Sequence, residues 1–358
     1  MYRNTKNVPY YVFGRGSLAQ LGDLLNPRRE AVDGPVVYFV DHFFRDHELI
    51  GRLPMEKGDQ LHFVDSSSEP EVTRIDAFKE AVSAADSRTP CCVVGIGGGN
   101  ALDTAKAVAN LLTNPGKAED YQGWELVKNP AVYKIGIPTL SGTGSECSRT
   151  CVLTNIPKNL KLGMNSDYTV YDQLLLDPDL LATVPRDQYF YTGIDTFMHC
   201  VESLQGSYRN AIIDAFSVRA VQLCEEIFLS DDMMSEENRE KMMIASYIGG
   251  MAAGNVGVIH PFSAGLGVVL HVAHGLGNCL ALNVLGDIYP KEYKQFRTMI
   301  ERQGVNLPTG ICKDLTEEQY EGLYRGCIVH EKPLTNALGP DFKQILTREN
   351  LIERYKSI

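Results

Sequence analysis

Along the first half of the chain, short apolar runs rich in β-branched residues alternate with longer amphipathic stretches. Val36–Val40 (VVYFV), Leu61–Val64 (LHFV), Cys91–Ile96 (CCVVGI) and Lys134–Pro138 (KIGIP) read as buried strands. Ser17–Leu25, Glu71–Ala85 and Ala101–Leu112 read as the helices between them. This alternation predicts a parallel α/β sheet of Rossmann-like type. After Asp177 and Pro178 the strand pattern stops, and helical periodicity runs over Asp187–Gln205, Ala211–Leu229 and Glu236–Ala253. The expectation is an α/β domain over residues 1–180 and an all-helical domain over 181–358.

One stretch departs from ordinary patterning. From Met242 to Gly286 there is no Asp, Glu, Lys or Arg, yet His260, His271 and His274, three of the eight histidines, lie inside it. A membrane span needs about 20 predominantly apolar residues in a row. Gly249, Gly250, Gly254, Asn255, Gly257, His260, Pro261 and Ser263 interrupt this run, so a pair of buried helices is the better reading.

Composition narrows the function. With 44% hydrophobic and 22% charged residues in 358, and a net charge of −11, the chain has ample core and an acidic surface. That balance, without a Lys/Arg block, argues against nucleic-acid and anionic-membrane partners. The opening residues lack the apolar region of a signal peptide, so a cytoplasmic location is expected. Nine scattered cysteines without a CxxC pair read as reduced packing residues.

Two loops carry chemistry. Gly95-Ile96-Gly97-Gly98-Gly99-Asn100 joins a strand to a helix, where glycines let backbone N–H groups approach a phosphate and the helix N-terminus adds a favourable dipole. Asn100 stands where the GxGxxG fingerprint has its last glycine, and alone it would make a plain helix cap. The second loop, Pro138 to Glu146 (PTLSGTGSE), offers the hydroxyls of Thr139, Ser141 and Thr143 at the same sheet edge. Asp41, at the end of VVYFV, would accept from ribose hydroxyls and repel a 2′-phosphate, pointing to NAD over NADP.

A possible metal set lies in the helical half. Asp195 and His199, four apart on a helix, project from one face. His260 and His274 come from the charge-free stretch, where a buried imidazole needs a partner. One carboxylate and three imidazoles suit Zn²⁺ or Fe²⁺ with a position left for substrate. His271, three residues before His274, is placed on a similar helix face as a substrate-facing or proton-carrying residue. Glu202 either contacts the site or faces solvent.

GGGNALDTAK, IPTLSGTGSE, the segment from Lys161 to Pro178, GIDTFMH and GVIHPFSAGLGVVLHVAHG together resemble the successive motifs of the iron-containing, group III alcohol dehydrogenases, over nearly the whole chain. The resemblance implies the dehydroquinate synthase-like fold, with an NAD-binding α/β domain, an all-helical domain and one divalent metal in the cleft between them. By motif position the metal ligands would be Asp195, His199, His260 and His274, and Gly97, Gly98, Gly99, Asp103, Thr139, Ser141 and Lys161 would line the cofactor. The family's further histidine, four after His260, is replaced by Ala264, which leaves proton release to the ribose, water or His271. No family motif is matched beyond about Leu307. YYVFGRGSLAQLG, TLSGTGSECSRT and HPFSAGLG further resemble the branch that oxidises the C8 alcohol of the sugar acid 3-deoxy-D-manno-octulosonate (Kdo) for lipopolysaccharide sugar synthesis. Arg149, Lys158 and Lys161 would then be candidates for meeting the substrate's carboxylate. A general small-alcohol or polyol dehydrogenase shares every motif. A metallohydrolase or a non-catalytic nucleotide-binding module would leave either the glycine loops or the metal set unexplained. The assembly stays open, a homodimer included.

Overall fold

The computed structural model describes residues 6–158 and 160–358. They divide into two compact units, one of residues 6–140 and 145–183, the other of 141–144 and 184–358. The first unit holds strands β1 (Tyr10–Phe13), β2 (Val36–Asp41), β3 (Gln60–Val64), β4 (Cys92–Gly97), β5 (Gly123–Trp124), β6 (Lys134–Pro138), β7 (Thr150–Asn155), β8 (Leu160–Asn165) and β9 (Gln173–Leu176). Its helices are α1 (Leu21–Ala31), α2 (Val72–Ala85) and α3 (Gly99–Leu111). Six strands make an all-parallel sheet in the order β1-β9-β6-β4-β2-β3.

The central strands β4 and β6 are buried along their whole length, as expected when layers cover both faces of a parallel sheet. Side chains alternate between those layers. Val36, Tyr38 and Val40 pack with Leu21 and Leu25 of α1, while Val37 and Phe39 pack with Ile75 of α2 and Ala105 and Val108 of α3.

Beyond the strands expected from local pattern, the fold adds β1, β9 and the small sheet β5-β8-β7, in which β7 and β8 are antiparallel. The run LKLGMN of β8 mixes Lys, Gly and Asn into its apolar positions, and the two residues of β5 gain strand character only by pairing with Met164 and Asn165. Neither signal is local.

Asp59 anchors the sheet margin. Its carboxylate accepts from Arg29 at 2.6 and 3.0 Å, from Val36 N at 2.9 Å and from Glu56 N at 2.8 Å. Burial alone would raise this carboxyl, but those hydrogen bonds hold it below its ordinary value. Its stabilisation is therefore complete above pH ~4 and is lost as pH falls further. Asp59→Asn is expected to lower stability at pH 7 by roughly 3 kcal/mol, with the gap between variant and wild type narrowing in acid. Urea midpoints at pH 7 and pH 3.5 check this. Asp177, fully buried at the end of β9, accepts from the backbone N–H groups of Gly16, Leu18 and Asp179, which gives that motif residue a structural role.

Among the described residues, every regular element of the second unit is a helix: α4 (Arg186–Gln205), α5 (Ala211–Phe228), α6 (Glu236–Gly249), α7 (Ile259–Leu270), α8 (His274–Val284), α9 (Pro290–Gln303), α10 (Glu317–Ile328), α11 (Glu331–Leu338), α12 (Phe342–Ile345) and α13 (Arg348–Lys356). The charge-free stretch forms the end of α6, a 3-10 segment (Gly250–Asn255), α7 and α8. Among the described residues no single helix is long and apolar enough to cross a membrane, and Glu236–Asn255 meets Ile259–Leu270 at 91°. Helix α7 packs on α8 and α10, and α8 packs on α4. The motif-free C-terminal part covers α7. Tyr355 of α13 stacks on Phe262 at 3.9 Å between centroids and donates its hydroxyl to Phe262 O at 2.8 Å.

Candidate metal centre and cofactor loops

Asp195 and His199 lie one turn apart on α4, His260 opens the first turn of α7, and His274 is the first residue of α8. Helical spacing aligns the first two, and the packing of α8 on α4 and α7 brings in the others. One ligand atom from each of the four lies within 4.8 Å of every other. Asp195 Oδ1 is 3.1 Å from His260 Nε2 and 3.8 Å from His199 Nε2, and Oδ2 is 3.5 Å from His274 Nε2. Donors placed ~2.1 Å from a common cation lie about 3–4 Å from one another, so the set fits one divalent ion. Asp195 Oδ2 is buried with no hydrogen-bond partner among the described residues, a polar atom that a cation would satisfy.

The electrostatics suit ligation. Burial holds the His199 imidazole down to about 3, which keeps it a neutral lone-pair donor. Burial would raise the Asp195 carboxyl, but His199, His274 and His260 around it hold it well below the ordinary carboxylate range. For His260, burial works against the charged form, and the carboxylates of Glu202 and Asp195 outweigh it and raise the ring.

Two further residues complete the centre: Glu202, whose role the sequence left open between the site and solvent, and Asn278, which it did not single out. Glu202, almost fully buried, accepts from His260 Nδ1, Ile259 N and the Tyr289 hydroxyl. Asn278 Nδ2 donates to Asp195 Oδ1 at 2.7 Å. Both carry a signal in the chain, since 195, 199 and 202 share one helix face and 278 follows 274 by one turn.

His271 does not lie on a helix with His274. Helix α7 stops at Leu270 and α8 starts at His274, so the extrapolated helix face does not exist. The residue is exposed and caps α7 in the left-handed conformation, φ +55°, which is uncommon for a side chain of this size.

In the first unit, β4 runs into Gly97 at φ +150°, where a Cβ would meet Ala101 Cβ at 2.6 Å and Asp41 Cβ at 2.9 Å. Gly98 is the cap position of α3 and no side chain caps it, so the N–H groups from Gly99 onward are not claimed by a capping side chain. Thr139 N donates to Gly97 O at 3.0 Å and ties the start of the second loop to the first. Asp41 accepts through Oδ1 from Phe43 N and from Ser66 Oγ, and no described residue donates to Oδ2.

Several expected cofactor residues are placed differently. Asn100 is not the cap; its amide donates to the carbonyls of Ser66 and Ser68 and holds that loop beside Asp41. Asp103 faces away from the helix start, accepting from Ser145 Oγ and Val152 N at 2.8 Å, with Lys106 Nζ 3.7 Å away. It lies a full turn into α3, where the side chain points at β7. Lys106, fully buried and not singled out by sequence, donates to the carbonyls of Ser145, Ser148 and Thr150. Ser141 and Thr143 belong to the short segment 141–144 that packs with the helical unit, not with the sheet. There Gly142 N donates to Ser246 Oγ and Gly142 O accepts from Thr196 Oγ1, while the buried Ser141 Oγ has no partner among the described residues. Lys161 pairs with Glu69 at 2.9 Å, Lys158 with Glu119, and Arg149 with Glu125 and Asp167. All three proposed substrate cations therefore have carboxylate partners.

The family model described as iron-containing alcohol dehydrogenase matches residues 9–178, and the model of that family's C-terminal part matches residues 189–322. The chain belongs to the iron-containing alcohol dehydrogenase family. That is a family of oxidoreductases acting on CH–OH groups, and the two-unit architecture is its fold. A sulfoacetaldehyde reductase of Bilophila wadsworthia is 34% identical over 220 residues, covering 60% of this chain and 56% of that one, so the match spans little more than half of that relative. An NAD-dependent methanol dehydrogenase of Bacillus methanolicus is 29% identical, covering 75% of this chain and 71% of that one. Among solved structures, a sulfoacetaldehyde reductase from Bifidobacterium kashiwanohense in complex with NAD⁺ superposes with a TM-score of 0.79 over 99% of this chain and 98% of that one, at 24% identity.

Proposed function

We propose that this chain interconverts a primary alcohol and its aldehyde, using NAD and one divalent metal ion, Fe²⁺ or Zn²⁺. The observation that carries the reading is the convergence of Asp195, His199, His260 and His274 within 4.8 Å. The uncapped N-terminus of α3 behind a glycine turn supports the cofactor half, as does the similarity to an NAD-dependent methanol dehydrogenase. When bound, the metal would polarise the substrate oxygen as a Lewis acid and the nicotinamide would carry the hydride.

The remaining tasks fall to this chain's own residues. Asp195 binds as the anionic ligand and the three imidazoles as neutral ones. Gly97, Gly98 and Gly99 let the first N–H groups of α3 receive the diphosphate, and Asp41 accepts from the adenosine ribose. Thr139, Ser141, Thr143 and Lys161 supply further donors, while Asn100 and Asp103 hold the surrounding loops in place. His271 exchanges the substrate proton with water, a task Ala264 cannot perform. Replacing His271 with Ala is expected to change the pH–rate profile, and an unchanged profile would remove it from the mechanism.

Asp41→Gly is expected to relax cofactor choice. Repulsion between a carboxylate and a 2′-phosphate is worth several kcal/mol, so the preference for NAD⁺ over NADP⁺ should shrink by at least about 10-fold. Initial rates with each cofactor measure it.

The finer substrate reading is the C8 alcohol of Kdo, supported by YYVFGRGSLAQLG, TLSGTGSECSRT and HPFSAGLG. A second reading, favoured by the 34% identical relative, is reduction of sulfoacetaldehyde. The deciding experiment follows nicotinamide absorbance with the metal-loaded protein. It offers Kdo, propanediol and butanol with NAD⁺, and sulfoacetaldehyde with NADH. Turnover of Kdo alone supports the first reading, turnover of sulfoacetaldehyde alone supports the second, and no turnover of any alcohol or aldehyde overturns the function.

A further inference from the structure

The metal centre leaves one buried carboxylate to explain. Glu202 is 1% exposed, and it sits on α4 two turns after Asp195. Its Oε2 lies 2.5 Å from His260 Nδ1, and its Oε1 accepts from Ile259 N at 2.6 Å and from the Tyr289 hydroxyl at 3.1 Å. None of these partners is a lysine or arginine, and the stretch that wraps around it, Met242 to Gly286, contains none. The wrapping is tight. A Cβ on Gly257 would stand 2.5 Å from Tyr289 Oη and 3.0 Å from Glu202 Oε1, so the backbone closes directly on the carboxylate.

The imidazole of His260 thus spans two carboxylates of one helix, with Nδ1 against Glu202 and Nε2 at 3.1 Å from Asp195 Oδ1. A neutral imidazole has one N–H. When Nδ1–H is donated to Glu202, the lone pair stands on Nε2, the nitrogen that faces the other three ligands. We propose that Glu202 is a positioning residue of the metal centre, fixing the Nε2-ligating tautomer of His260 and supplying the second buried negative charge against a divalent cation. Asp195 and Glu202 together bring two negative charges, and three neutral imidazoles bring none. The donor set and its outer carboxylate therefore match the charge of one M²⁺ ion, with no Lys or Arg among the partners of Glu202.

The inference rests on the metal reading of the preceding section, and its test separates the two. Dissociation constants for Co²⁺ and Zn²⁺ are measured by chelator competition for the wild type, Asp195→Asn, Glu202→Gln and Glu202→Ala, together with the ligand-field absorption of the Co²⁺ forms and the melting temperature of each metal-free protein. Glu202→Gln keeps the shape but removes the charge, and its amide NH2 replaces one of the two acceptor oxygens that now serve His260 Nδ1, Ile259 N and the Tyr289 hydroxyl. It is expected to weaken binding about 10-fold, Glu202→Ala nearer 100-fold, with a displaced Co²⁺ band, while Gln leaves the metal-free melting temperature close to wild type. A purely structural role for Glu202 predicts wild-type affinity and spectrum in the Gln variant, and that result would overturn the proposal. If the wild type binds no better than Asp195→Asn, the metal reading itself falls, whatever the Glu202 variants do.

Discussion

Asp195→Asn is expected to remove nearly all activity, lowering kcat/KM by at least ~10³-fold, or about 4 kcal/mol of transition-state stabilisation. The side chain is fully buried, and its carboxylate faces the Nε2 atoms of His199, His260 and His274. It is the one anion among the four proposed ligands. An amide of the same shape keeps the packing but leaves three neutral imidazoles, a set with much weaker attraction for a divalent ion. Its amide would also confront Asn278, which now donates to Oδ1, with a second donor or a rotated carbonyl. Metal content after gel filtration and nicotinamide-coupled rates measure the two effects. Exhaustive chelation of the wild type should reproduce the loss, and adding back Fe²⁺ or Zn²⁺ should reverse it. A variant that retains wild-type turnover would sink the assignment of Asp195.

Gly142→Ala is expected to give the largest stability loss of any single methyl addition near the site, at least about 4 kcal/mol. Gly142 stands at φ +148°, and a Cβ there would lie 1.6 Å from Thr192 O, inside the backbone of α4. Either the loop or the helix must move. Both shifts break the hydrogen bonds from Gly142 N to Ser246 Oγ and from Thr196 Oγ1 to Gly142 O, and Thr196 neighbours Asp195. A melting temperature lower by about 10 °C and weakened metal binding should therefore appear together. Gly51→Ala serves as the control. No atom lies within 4 Å of its Cβ position, and its expected change is within about 0.5 kcal/mol.

The central strands and most helices were legible because each carries its own periodicity: VVYFV, CCVVGI and KIGIP are buried strands in place. The small sheet was not, since β5 is made a strand by a partner about 40 residues away and β8 by pairing with β7, and not by their own composition. The four metal candidates were legible as residue types. What misled was extrapolation of a helix through residues 271–273, which end one helix and precede another. The cofactor loops show the same limit of local pattern. A polar residue near a glycine loop can face the ligand or tie the loop, and Asn100 and Asp103 tie it.

By itself the sequence determined that Asp195, His199 and Glu202 share a helix face and that a 45-residue stretch carrying three histidines has no formal charge and belongs largely to the interior. Helical geometry and the cost of desolvation are local properties, readable from spacing and composition. Only the tertiary structure decided which of those histidines meet. His260 and His274 reach Asp195 because α8 packs on α4 and α7 packs on α8, whereas His271 caps a helix and stands exposed. It also turned Glu202 from an uncommitted acid into the partner of His260. Such pairings depend on where the chain returns in space, and periodicity along one helix carries no information about which distant residue will lie beside it.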